Sequence, residues 1–279
     1  MTNSLTPPSL ASVEWVGRVE PRPNISLVVF DFDGTLSWIR HGWPQIMKDM
    51  FLRHLPLLAG ERRETLAGLL EDVIVSLNGK PTIFQMRGFV ELAEKRGAKT
   101  PDAESLRAEF QEELDKAIER RIQKIREGQA TVEDYLIHQA LPLLQHLATK
   151  PVELIVLSST VVERVKEEAE VLGIAEWFGG KIFGGVGDPL KFSKRAVFER
   201  LLQETGATGE QLLSFGDGPT EIRDTKQLGR LAIAVCTDET ENGSGVCDAE
   251  KRRQLMAAGA DVVMPDYRDA IAVVNYLLG

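Results

Sequence analysis

The sequence predicts an α/β protein: a doubly wound parallel sheet with an all-helical subdomain inserted after the first strand. Two observations carry this. Short apolar runs alternate with amphipathic helical patterns over the second half of the chain, the order of a wound parallel sheet. Between the first two of these runs lies a long interval with almost no strand signal and four apolar stripes at helical spacing.

Taken in order, residues 1–24 read as a tail, because Pro7-Pro8 and Pro21-Arg22-Pro23 bracket a mixed segment and block regular structure. Order is expected to begin at Leu27-Val28-Val29-Phe30, which is too apolar for an edge strand and fits a buried parallel one. Four stripes follow. Ile46, Met47, Met50, Phe51, Leu55 and Leu58 form the first; Leu66, Leu69, Leu70, Val73, Ile74 and Leu77 the second. Ile83, Met86, Val90 and Ala93 make the third, and Leu106, Phe110, Leu114, Ile118, Ile122 and Ile125 the fourth. Helices with one apolar face each can bury those faces against one another. The expected division is therefore a helical subdomain over 38–137 and an α/β core over 25–37 and 138–279. Further strands are expected at Leu154–Leu157, Lys181–Phe183, Leu212–Phe215, Leu231–Val235 and Asp261–Val263. One helix carries Val161, Val162, Val165, Ala169 and Leu172 and stops at Gly173; another carries Ala196, Val197, Leu201 and Leu202 behind Ser193 as N-cap.

Composition narrows the function. The 279 residues are 43% hydrophobic and 27% charged, which suits a globular protein, and 33 Lys and Arg against 42 Asp and Glu leave a formal charge of −9. That balance argues against non-specific nucleic-acid or anionic-membrane binding, both of which need a basic surface. Cys236 and Cys247 make no disulfide framework and no CxxC pair. No stretch approaches the ~20 apolar residues that cross a bilayer, and the N-terminus lacks the basic and apolar regions of a signal peptide. A cytoplasmic protein without nucleic-acid or membrane partners is the expectation.

Chemistry concentrates at strand ends. Asp31-Phe32-Asp33-Gly34-Thr35 follows the first strand directly, in the crevice where open α/β sheets bind ligands. Two carboxylates two residues apart can divide labour, one attacking and one handling protons, if a divalent cation suppresses their repulsion. Gly216-Asp217-Gly218-Pro219-Thr220-Glu221 repeats the logic after the fourth strand, so that Asp217 could face Asp31 and complete a magnesium site. Read alone, each of these strings is a common acidic turn; together in one chain they favour a site. The second strand ends in Ser158-Ser159-Thr160, where a hydroxyl, with Ser158 and Ser159 as the candidates, and helix N-terminal amides suit a phosphate oxygen. Lys191 and Lys194 precede the helix leading to Gly216-Asp217 and could set an ammonium group against a phosphoryl oxygen.

In this order the four sites resemble the motifs of the haloacid dehalogenase-like hydrolase superfamily, in its phosphatase branch with a helical cap between motifs one and two. The DxDx(T/V) motif matches Asp31–Thr35, the strand-ending hydroxyl Ser158, the lysine Lys194 or Lys191, and the acidic fourth motif Asp217 with Glu221. Leu172-Gly173-Ile174-Ala175-Glu176-Trp177-Phe178 is similar to a stretch common in the superfamily. Glu221 departs from the more usual aspartate, and of the two lysines Lys194 has the more comfortable spacing. The resemblance implies that Asp31 attacks phosphorus to form an aspartyl phosphate and that Asp33 protonates the leaving oxygen and then activates water. It also implies Mg2+ held by Asp31, the Asp33 carbonyl and Asp217, with Glu221 nearby, and Thr35, Ser158, Ser159 and the lysine around the phosphate. Dehalogenases of the superfamily lack the second aspartate, so Asp33 favours phosphoryl chemistry.

The expected substrate is a small phosphorylated metabolite, with a sugar or polyol phosphate favoured. Arg40 and Trp43, in the segment after the nucleophile loop, and Lys80, in a Gly-Lys-Pro-Thr loop, are the candidate cap contacts. The alternative is a phosphosugar mutase, in which the aspartyl phosphate passes to a bound sugar, and behind it a non-catalytic binding module. The oligomeric state is not legible, and the segment 238–279 has no catalytic account at this level.

Overall fold

The structure is a computed structural model that describes residues 6–77, 81–185 and 194–279. Ser193, Lys191 and Lys80 lie outside the described residues. The chain divides into two compact units, one built from the chain through Ile39 together with Lys124–Gly279 and the other Arg40–Gln123.

The first unit carries a seven-stranded sheet: β1 (Glu14–Trp15), β2 (Leu27–Phe30), β3 (Glu153–Val161), β4 (Ile182–Gly185), β5 (Leu212–Gly216), β6 (Leu231–Val235) and β7 (Val262–Met264). Their spatial order is β1-β7-β6-β5-β2-β3-β4, and all neighbours run parallel except β1 against β7. β2, β5 and β6 are buried along their whole length, as continuous apolar runs covered on both faces must be. From β2 the chain winds outward through β3 and β4, then returns to place β5 on the other side of β2. That reversal puts a crevice between the C-terminal ends of β2 and β5. Phe30 is in register with Val156 on one side and Phe215 on the other. Its ring stacks on Phe215 at 4.7 Å, and Tyr267 meets both rings edge-on at 6.5 and 5.8 Å.

β3 runs past its apolar stretch through Ser158-Ser159-Thr160 to Val161, which pairs with Gly185 after a register shift. Backbone pairing needs no apolar side chain, so hydropathy underestimates its length. The remaining helices of this unit are α5 (Ala140–Ala148), α6 (Val162–Val171), α7 (Lys194–Thr205), α8 (Pro219–Gln227), α9 (Ala249–Ala257) and α10 (Ala270–Leu278).

The second unit contains α1 (Trp43–His54), α2 (Arg63–Ser76), α3 (Ile83–Lys95) and most of α4 (Ala103–Arg126). Their buried residues keep to the first, second and fourth stripes: Met47, Met50 and Phe51; Leu66, Leu70 and Ile74; Leu106, Phe110, Leu114, Ile118 and Ile122. On α3 Met86 and Ala93 keep the third stripe, but Gln85 and Phe89 are buried outside it and Ile83 and Val90 are only half-buried. Phe51 and Phe89 stack at 4.1 Å, joining α1 to α3. Leu58 and Leu69 depart from the stripes and are exposed, Leu58 because α1 has already ended. No described helix is long and apolar enough to cross a membrane.

Residues 14–24, expected as part of a tail over 1–24, are tied to the sheet. Glu14 and Trp15 pair with Val263 and Val262, Val16 donates to the Asp261 carbonyl at 2.8 Å, and Arg252 holds Glu14 through two bonds of 2.8 Å. Trp15 packs edge-on against Tyr276 at 5.2 Å, and Val19 and Ile25 are buried. The prolines limit the strand to two residues without preventing it from covering the edge of β7. Removing residues 1–18 is expected to lower the thermal midpoint by roughly 4 °C or more. Thermal denaturation followed by circular dichroism checks this, and an unchanged midpoint would restore the tail reading.

Candidate active site

Asp31 and Asp217 lie just past the ends of β2 and β5, on the two sides of the crevice. The Asp31 amide donates to the Phe215 carbonyl at 2.9 Å, which ties the two strand ends together. The chain then turns sharply: Leu36 and Ser37 both donate to the Phe32 carbonyl at 2.8 Å, and Gly34 to the Ser37 carbonyl at 2.9 Å. Gly34 has φ of 72°, and a Cβ on it would stand 2.1 Å from Asp217 Oδ2. Glycine is required there on both counts, because the turn is left-handed and the carboxylate is already against the backbone. At Gly216 a Cβ would overlap the Glu221 carboxylate and push it from its present place.

Pro219 opens α8 and Glu221 lies in its first turn. The Glu221 side chain reaches back, so that the Gly218 amide donates to Oε1 at 2.9 Å, which fixes the helix start and the carboxylate together. Oxygens of Asp31, Asp217 and Glu221 come within 4.8 Å of one another. Hard oxygen donors at that spacing suit a divalent cation such as magnesium or calcium. The Asp33 side chain is not part of this cluster.

Two largely buried ammonium groups hold the cluster. Lys194, the first residue of α7, lies 2.7 Å from Asp31 Oδ1 and 2.5 Å from Glu221 Oε2. Lys251, in the first turn of α9, lies 3.1 Å from Asp217 Oδ2 and pairs with Glu239. Burial pushes the Asp31 carboxyl well above the usual range, the Glu221 charge pushes it further, and Lys194 compensates only in part. Burial likewise raises Asp217, to about 6, against the opposing pull of Lys251. Burial alone would lower both lysines, but their carboxylate partners outweigh it and both are held above the usual lysine value.

Asp33 is held from β3, where Thr160 Oγ1 donates to its Oδ2 at 2.7 Å. Ser158 is buried, and its Oγ accepts from the Thr160 amide at 3.0 Å. Ser159 points to solvent. Thr35 is fully buried, and its carbonyl accepts from the Tyr267 hydroxyl at 2.8 Å. Thus Asp31, Asp33, Asp217, Glu221 and Lys194 come together with Ser158 on the neighbouring strand. Arg40 and Trp43 belong to the helical unit, Trp43 as the first residue of α1.

Sequence reasoning missed Thr160, Lys251, Glu239 and Tyr267. Thr160 had a signal, since it closes the same hydroxyl run as Ser158. Lys251 had none: it sits in Ala249-Glu250-Lys251-Arg252-Arg253, a string that reads as a solvated helix face.

The fold is a doubly wound sheet with an acidic cluster at the C-terminal ends of its central strands. A haloacid dehalogenase-like hydrolase family model matches residues 25–229, and the chain belongs to that family. Among curated proteins no sequence matches it. Solved structures are similar at low identity. A conserved haloacid dehalogenase-like protein from Agrobacterium tumefaciens is 14% identical, with 90% of this chain and 98% of that one covered and a TM-score of 0.61. A predicted phosphoglycolate phosphatase from Haemophilus somnus is 17% identical, with 90% and 98% covered and a TM-score of 0.61. A haloacid dehalogenase family hydrolase from Deinococcus radiodurans, with bound phosphate and sodium, is 16% identical, with 91% and 98% covered and a TM-score of 0.57. These likenesses establish a shared fold.

A carboxyl whose pKa is higher folded than unfolded destabilises the fold once it must ionise, so its cost grows as pH rises from about 4 to about 6. The metal-free protein is therefore expected to gain about 1 kcal/mol from Asp217 as pH falls from 7 to 5. Urea denaturation of wild type and Asp217→Asn checks this: the variant should lose that part of the slope.

Proposed function

We propose that the chain is a magnesium-dependent phosphatase that hydrolyses a small phosphorylated metabolite through an aspartyl-phosphate intermediate. The observation that carries this reading is the pairing of Asp31, at the crevice end of β2, with Lys194 at 2.7 Å while Asp217 and Glu221 close around it. The family and the bound phosphate of the Deinococcus radiodurans relative support it.

In this reading an Asp31 oxygen forms a bond to phosphorus as the ester P–O bond breaks. Asp33, oriented by Thr160, delivers a proton to the leaving oxygen. In the second half Asp33 takes a proton from water, the water oxygen attacks phosphorus, and the Asp31 carboxylate is regenerated as inorganic phosphate leaves. Lys194 stays beside Asp31 throughout and balances charge as it passes to the phosphoryl oxygens; Glu221 keeps that ammonium group in place. Ser158, whose oxygen already accepts from Thr160, has its hydroxyl proton to offer a phosphoryl oxygen. Asp31, Asp217 and the Asp33 carbonyl would hold magnesium, whose charge offsets that of nucleophile and phosphate together. Glu221, with both oxygens engaged, serves this site through Lys194.

The helical unit, Arg40–Gln123 rather than the expected 38–137, is proposed to set specificity, with Arg40, Trp43 and Lys80 as candidate substrate contacts. A sugar or polyol phosphate is the favoured substrate in this reading, and the predicted phosphoglycolate phosphatase of similar fold adds phosphoglycolate to the candidates.

The test is phosphate release from a panel of phosphoglycolate, hexose phosphates and glycerol phosphate, with and without magnesium. Release is expected to require magnesium and to fall by about 10³-fold or more in Asp31→Asn. A substrate that isomerises without releasing phosphate would replace this reading with a mutase. Turnover that persists in Asp31→Asn would overturn the nucleophile.

A further inference from the structure

Lys251 and Glu239 stand outside the segment that matches the family, residues 25–229, yet Lys251 reaches Asp217 and pairs there with Glu239. The path that brings them there is specific. The Asp248 amide donates to the Cys236 carbonyl at 2.9 Å, fastening the start of α9 to the end of β6. The Asp248 side chain then caps α9 by accepting from the Lys251 amide at 2.8 Å. The Lys251 ammonium group is consequently buried with three partners: Asp217 Oδ2 and Thr237 Oγ1, both at 3.1 Å, and the Glu239 carboxylate. Thr237 in turn donates to the Gly34 carbonyl at 3.3 Å, in the loop that follows Asp31.

We propose that Lys251 is a positioning residue that occupies one oxygen of Asp217 as a resident cation and thereby sets the affinity of the site for its divalent metal, with Glu239 drawing the ammonium group away from Asp217. This rests on the reading that Asp217 is a metal ligand. The physical argument is competition. A positive charge 3.1 Å from a ligand oxygen supplies the neutralisation that a metal would otherwise provide, and it repels the metal across a short distance. The same charge prevents Asp217 and Asp31 from being driven apart when no metal is bound. Glu239 divides the attention of Lys251 between two carboxylates, so it weakens the hold on Asp217 and adds a negative charge close to the site.

The two partners therefore make opposite predictions. In the full chain, Lys251→Met is expected to tighten the dissociation constant for Mn2+ by about tenfold or more and to lower the metal-free thermal midpoint. Glu239→Gln, which leaves Asp217 as the one carboxylate partner of Lys251 beside the Thr237 hydroxyl, is expected to weaken Mn2+ binding by a similar factor. Electron paramagnetic resonance of free Mn2+ during titration reads both constants without any substrate. A merely structural role for Lys251 would change the midpoint and leave the constants within twofold of wild type, which overturns the proposal. Shifts of both variants in the same direction overturn it as well. If Lys251→Met does not fold, Glu239→Gln decides alone, since only weaker binding agrees with the proposal. Wild type that binds no Mn2+ would overturn the metal site itself, whereas wild type that binds while both variants match it overturns only the role of Lys251.

Discussion

Like charges held close together at the ends of two buried strands are the constraint on which this structure turns. Asp31, Asp217 and Glu221 repel one another in a place where little water screens them. Lys194 answers on one side of the cluster and Lys251 on the other. Around this arrangement the backbone has little freedom. Gly34 and Gly216 give up their side chains because carboxylates already fill the space. Glu221 both starts α8 and anchors Lys194, so the beginning of that helix cannot be separated from the charge balance of the site.

The sheet beneath makes such a cluster tolerable. Parallel strands buried on both faces give β2 and β5 a fixed register, and the stacked Phe30 and Phe215, with Tyr267 edge-on to both, pack at the strand ends that carry the charged residues. Burial and the Asp217, Asp31 and Glu221 charges keep the Tyr267 phenol protonated far above its usual range, so it remains a donor to the Thr35 carbonyl. Rigid apolar packing thus supports the turn that carries Asp31 and Asp33, and it does so from a residue 232 positions away in the chain.

What the sequence showed of the fold follows from periodicity. The four helical stripes were visible because an apolar face must recur every turn, and α1 to α4 bury those faces. The central strands were visible as short apolar runs between helices. β1 was hidden, because two residues carry no period and the flanking prolines point the other way. The last residues of β3 were hidden for the opposite reason, being polar where the strand still pairs. At the site, Asp31, Asp33 and Asp217 announced themselves by following apolar runs with glycine beside them. Lys194 was readable only through its order in the chain relative to them.

By itself the sequence determined a wound parallel sheet, an inserted helical segment and two acidic strand ends, since these depend on local pattern and on residues close in the chain. It also determined the family, because the motifs occur in order along one stretch. Only the tertiary structure decided that Thr160 rather than Ser159 turns to Asp33, that Glu221 pairs with Lys194, and that Lys251 rather than its charged neighbours reaches Asp217. Those choices rest on where a strand leaves its apolar run and where a capped helix begins. Distant segments set such geometry when they pack, and no local pattern of charge or hydropathy encodes it.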